Sequence, residues 1–77
     1  MNTVYAVGLI YNDEWEGEVI QIYSLWSEYN KAKEEALKEQ VRYYSAIVVQ
    51  PFKIDDPNFI GKPEIIKSHE GFVRYGT

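Results

Sequence analysis

Thr3-Val4-Tyr5-Ala6-Val7-Gly8-Leu9-Ile10-Tyr11 runs for nine residues without a charge. With the two-residue period of a strand, Val4, Ala6, Gly8 and Ile10 share one face, and Tyr5, Val7, Leu9 and Tyr11 share the other. Both faces are apolar. A strand of that kind is covered on both sides and belongs at the centre of a sheet. The rest of the chain reads as the material that covers it.

Asn12–Glu18 (NDEWEGE) is polar and carries the Asn, Asp and Gly that turn a chain. Val19–Tyr23, extending toward Leu25, is a second strand. Ile20 and Ile22 share one of its faces, and Val19, Gln21 and Tyr23 share the other. That mixed second face suits a place nearer the sheet edge. The two strands form a hairpin whose loop spans six or seven residues.

A helix follows, from Leu25 or Glu28 to Gln40, with Ser24 and Ser27 both suited to capping its start. Tyr29, Ala32, Ala36, Leu37 and Gln40–Val41 recur at three- and four-residue steps and give one narrow apolar stripe. The two alanines allow a close approach to the sheet. Glu34 with Lys38, and Lys31 with Glu35, are spaced to pair on the solvent face. Tyr43–Phe52 is a third strand, rich in β-branched and aromatic residues. Pro51 places its end at an edge or past the paired part. Asp55-Asp56-Pro57-Asn58 reads as a turn.

The order strand, strand, helix, strand constrains the topology. The helix returns the chain, so the third strand runs antiparallel to the first and lies beside it. The expected fold is α+β: an antiparallel sheet of three or four strands, order 2-1-3, with one helix packed on one face. Residues 1–56 form this ββαβ core. Residues 57–77 form a C-terminal arm on the same domain, either irregular or a small hairpin of Glu64–Lys67 with Phe72–Tyr75. One helix covers one sheet face. The second face needs the arm (Phe59, Ile60, Ile65, Ile66, Phe72), a second copy or a partner to cover it.

Seventy-seven residues make one domain, which buries only about 60% of the surface its unfolded chain exposes. There is no cysteine to staple it; such small domains often dimerise or use a dense aromatic core, and seven Tyr, three Phe and two Trp make that core available. No apolar run approaches the roughly 20 residues needed to span a bilayer. The first residues carry no basic stretch, so a secretory signal is not expected and the reading is cytoplasmic. Residues 1–30 hold five acids and no base, whereas residues 31–77 hold seven acids and eight bases. An acidic half argues against a nucleic-acid or anionic-membrane binder, since both need a positive surface.

Catalytic constellations are not evident, and no enzyme, cofactor or metal site is expected. His69 is the sole histidine, set in a turn beside Ser68 and Glu70. A triad would need a positioned nucleophile and a third, orienting group. The acids Asp13, Glu14, Glu16 and Glu18 do not match a calcium-loop spacing, because Trp15 occupies a ligand position and the distal Glu is missing, and Asp55-Asp56 reads as a solvated turn. Lys31, Lys33 and Lys38 alternate with Glu34, Glu35 and Glu39, as on an ordinary solvated helix face.

Two features are candidates for binding. The first is the hairpin loop, where Trp15 stands among Asp13, Glu14, Glu16 and Glu18. Tryptophan is a typical interface anchor, and carboxylates around it attract a basic partner. The plainer reading folds Trp15 back onto a Tyr or Trp26 and leaves the acids as solubilising charges. The second is Arg42-Tyr43-Tyr44, residue types favoured at interfaces but also common in sheet packing.

The string VYAV, an acidic gap, VIQIYS, EYNKAKEEA and YYSAIVVQPFKIDD resembles a group of small ββαβ proteins of bacteria and bacteriophages. In that pattern, first strand, acidic gap and second-strand ending fall on Val4–Tyr11, Asp13–Glu18 and Ile22-Tyr23-Ser24. Helix alanines and last strand fall on Ala32 and Ala36 and on Ile47–Asp55. The resemblance covers residues 3–56 and implies a fold but no activity. Small acidic chains without catalytic motifs also look like phage proteins that bind and redirect host enzymes. The resulting expectation is a non-enzymatic protein-binding module, acting on a basic surface through the hairpin loop, in the host cytoplasm if phage-encoded. The alternative is a structural domain that forms a homodimer through its open sheet face.

Overall fold

The computed structural model describes residues 3–56 and 61–72. Its elements are β1 (Thr3–Asp13), β2 (Gly17–Trp26), α1 (Tyr29–Lys38), β3 (Ser45–Lys53) and β4 (Glu64–Ser68). The strands form one antiparallel sheet in the order β2-β1-β3-β4, with α1 packed against it. The charge-free run thus sits where its two apolar faces require, between β2 and β3, with Ala6–Ile10 all buried. The mixed face of the second strand goes with an edge position, as expected.

On the helix side, Val7, Leu9, Ile47 and Val49 meet Ala32 and Ala36, and half-buried Tyr5, Tyr11, Tyr23, Trp26, Tyr29, Val41 and Ile66 pack around them. On the opposite side, Ile10, Ala46 and Val48 are packed by Ile20 and by Phe72 of the C-terminal arm. The centre of the core is aliphatic, not aromatic: the largest fully buried hydrophobic side chains are Ile10, Ile47, Val7, Val48 and Val49. Two fully buried alanines draw the helix close to the sheet and leave no room for rings at the centre. Rings pack at the rim instead, where a phenol or indole keeps its polar tip near water.

The elements differ from expectation mainly at their ends. The hairpin loop is three residues, Glu14–Glu16, because β1 and β2 stay paired out to Asp13 and Gly17. The β1–β2 register shifts between Val7 and Gly8, leaving Tyr23 as an extra residue on β2. Leu25 therefore pairs with Ala6 and joins Ile20 and Ile22 on the open face. A Cβ on Gly8 would stand 2.6 Å from the Gln21 carbonyl oxygen, so the close approach beside this bulge requires glycine.

Neither serine caps the helix. Ser24 lies within β2, where its hydroxyl accepts the Trp26 indole N–H at 2.8 Å. The N-cap is Glu28, without a side-chain capping bond. The helix ends at Lys38, short of Gln40, and Leu37 points to solvent. Among the described residues the ion pair on this helix is Lys31–Glu28 at 3.0 Å, not Lys31–Glu35 or Glu34–Lys38.

The third strand begins at Ser45, because Tyr43 and Tyr44 form a turn. Pro51 pairs with Tyr5 of β1 but lies past the last β3–β4 partner, Val49. Its carbonyl accepts the Gly61 N–H at 3.0 Å, and Gln50 donates to the Gly61 carbonyl at 2.9 Å. In the arm, Glu64–Ser68 adds to the sheet beside β3. The expectations for Pro57, Asn58, Phe59, Ile60 and Val73–Tyr75 lie outside the described residues. The arm is tied to the helix by the Tyr29 hydroxyl, which donates to Glu64 at 2.5 Å, and by Lys67, which donates to the Leu37 carbonyl at 2.7 Å.

Candidate protein-interaction site

The hairpin tip is built by Asp13. Its Oδ1 accepts the backbone N–H of Trp15 at 2.8 Å and of Glu16 at 3.1 Å. Gly17 closes the turn with φ +78°, a left-handed conformation natural to glycine. With the turn closed from below, the side chain at its apex has no surface to fold onto. Trp15 is accordingly 90% exposed. The folded-back reading, against a Tyr or Trp26, does not hold, because Trp26 is held at the other end of β2. Glu14, Glu16 and Glu18 are exposed, and Asp13 braces the turn.

Arg42, Tyr43 and Tyr44 lie on the connection from α1 to β3. The Ser45 N–H reaches the Arg42 carbonyl at 3.2 Å, and the Ser45 hydroxyl both donates to that carbonyl and accepts from the Arg42 N–H. Tyr44 takes φ 59°, an unusual state for a bulky residue. His69 holds it there: its Nδ1 accepts the N–H of Tyr44 at 3.2 Å and of Gly71 at 2.9 Å. The imidazole also makes edge contacts with Tyr43 and Tyr44, at ring separations of 5.1 and 5.6 Å. His69 is thus a fixed acceptor for two amides, which leaves its proton on Nε2. Both tyrosines remain exposed, and a recess of about 300 Å³ lies between them, Arg42, Gln21 and Tyr11. They are not sheet-packing residues, since the turn lifts them off β3.

The register brings these two candidates to one end of the sheet. Tyr11 pairs with Ser45, so the hairpin tip and the Tyr43–Tyr44 turn both lie beyond that pair. A third surface lies at the opposite end, on the open face expected to need the arm, a second copy or a partner to cover it. Val4, Ile22, Leu25, Phe52 and Ile54 line a shallow groove of about 330 Å³ on the open face, with Lys53 at its margin. Ile22, Leu25 and Ile54 are at least half exposed there. The signal was present in the alternation of Val4, Ile20 and Ile22, but Leu25 joins them only because of the bulge.

Among the described residues, no group of three or more His, Asp or Glu side chains is placed to hold a metal ion. None of the helices there is long and apolar enough to cross a membrane. The resolved pKa shift falls on Tyr29, whose phenol is raised above its ordinary 10.0, chiefly by its hydrogen bond to Glu64. That group links helix to sheet and lies away from the hairpin tip. No family model, curated protein or solved structure matches this chain. The functional reading therefore rests on the residues themselves.

Proposed function

We propose that this chain is a non-enzymatic protein-binding module that engages a basic surface through its hairpin tip. The observation that carries this reading is the 90% exposure of Trp15 on a turn braced by Asp13 and closed by Gly17. A tryptophan held in water exposes apolar area that a partner's pocket would bury, and a short braced turn limits the entropy lost on docking. Glu14, Glu16 and Glu18 supply the field that speeds encounter with a cationic partner. Inhibition of a host protein is the specific version of this reading.

The test is affinity capture from nuclease-treated host lysate. Wild type is compared with a variant carrying Trp15→Ala and Glu14, Glu16 and Glu18 changed to Gln. A protein retained by wild type and lost by the variant supports the reading. Equal recovery by both chains overturns it.

A second reading, self-association through the open sheet face, is favoured by the groove of Val4, Ile22, Leu25, Phe52 and Ile54. Exposed apolar area of this kind marks an interaction site more often than a bare surface.

A further inference from the structure

We infer that the outer edge of β2 pairs antiparallel with the same edge of a second copy, joining two four-stranded sheets into one across a two-fold axis. This inference rests on the self-association reading and names the contact that would mediate it.

β2 ends the strand order, and among the described residues the backbone groups of Val19–Trp26 bond to β1 alone. A row of unpaired N–H and C=O groups is a template for another strand unless it is blunted by charge, proline, a bulge or short length. The other edge is blunted. β4 is five residues long, follows Pro63 and carries Glu64 and Lys67. Val19–Trp26, in contrast, is eight residues without a charge or a proline. The bulge at Tyr23 bends the strand there, so the regular stretch available for pairing is centred near Gln21.

A second copy fits the stretch Val19–Trp26 better than a charged partner does, because that stretch offers no charge to recognise one. Centred on Gln21, antiparallel pairing sets Ile20 of one copy opposite Ile22 of the other on the open face. Such apolar cross-strand pairs are the unit of sheet stabilisation. Leu25, 62% exposed, extends the same floor toward the groove. Like charge is not an obstacle. The two acidic tips point to opposite ends: at a strand rise of about 3.3 Å, the two copies of Glu18 stand about 20 Å apart and those of Trp15 about 40 Å. Both separations exceed twice the screening length of about 8 Å at physiological ionic strength. A core whose largest fully buried side chains are isoleucines and valines also gains from further burial.

The experiment combines sedimentation equilibrium of the full chain, from micromolar to millimolar, with amide hydrogen exchange at both extremes. Two variants accompany wild type. Gln21→Lys places like charges together at the edge, and Ile54→Lys charges the groove away from it. The expected result is a dimer whose amides in Val19–Ile22 slow with concentration, at least tenfold weakened by Gln21→Lys and less affected by Ile54→Lys. A dimer without added protection in β2, or one broken by Ile54→Lys alone, overturns edge pairing and leaves association through the face. A monomer throughout overturns both, while the hairpin-tip reading stands. Protection of β2 that arises only with an added foreign peptide overturns the second copy as occupant.

Discussion

Trp15 and Gly8 illustrate opposite relations between a residue and its fold. Trp15 touches little, so Trp15→Ala is expected to leave thermal stability within about 0.5 kcal/mol, the range of ordinary surface changes. Thermal unfolding beside a binding assay checks this, and a large loss of stability would mean that the indole packs on the domain. Gly8 is constrained instead by a neighbour's backbone, since a Cβ would overlap the Gln21 carbonyl. Gly8→Ala forces β1 and β2 apart at the bulge. Its expected cost is about 1–3 kcal/mol, as for other overpacked sites, read as a lowered denaturation midpoint with the slope unchanged.

At the scale of elements, α1 is the least self-sufficient part. It has ten residues, no acid in its first turn and no side-chain cap. Its attachment comes from two buried alanines, the Tyr5–Tyr29 edge contact at 5.8 Å and the Tyr29–Glu64 hydrogen bond. Glu28→Asp supplies a shorter carboxylate suited to capping and is expected to raise stability by about 0.5–1 kcal/mol. The exposed Lys31 pair it disturbs is worth little, so the gain should survive in equilibrium unfolding.

The Tyr29 contact also carries a pH signature. The phenol holds its proton more tightly when folded than when unfolded, because Glu64 accepts it. The contribution is complete below the ordinary value of 10.0 and is lost as pH rises through the raised folded value. Tyr29→Phe should therefore flatten the fall in stability on the alkaline side. Unfolding midpoints of both chains from neutral to alkaline pH test this.

For the whole molecule, the three surfaces divide by position and by chemistry. The charged tip and the Tyr43–Tyr44 turn share one end, and the apolar groove lies at the other. Salt should separate their roles. Binding of a basic partner at the tip is expected to slow its association as ionic strength rises, because steering is screened. Self-association along β2 and the groove should persist or strengthen, since it rests on apolar burial and backbone pairing. Association rates and dimer mass measured across the same salt series distinguish them. If both weaken in parallel, self-association is electrostatic and the apolar assignment fails.

The order of the first three strands, the central place of Thr3–Tyr11, the edge place of β2 and the existence of one helix were all legible in the sequence. Each follows from periodicity and connection length, which are local properties of the chain. The composition of the acidic loop was legible too, but not its three-residue tightness or the exposure of Trp15. Those depend on how far the two strands stay paired, and Asp13 and Gly17 decide that only once the strands meet. Long-range contacts made the remaining decisions. The bulge at Tyr23 moved Leu25 to the open face, and Glu64–Ser68 became a strand because β3 offered it an edge. His69 became a backbone acceptor because the arm brings it beside Tyr44. Close approach of the alanine face to the sheet sent the aromatic rings to the rim. A sequence period records which face a residue prefers; only the tertiary structure sets which backbone or side chain waits there.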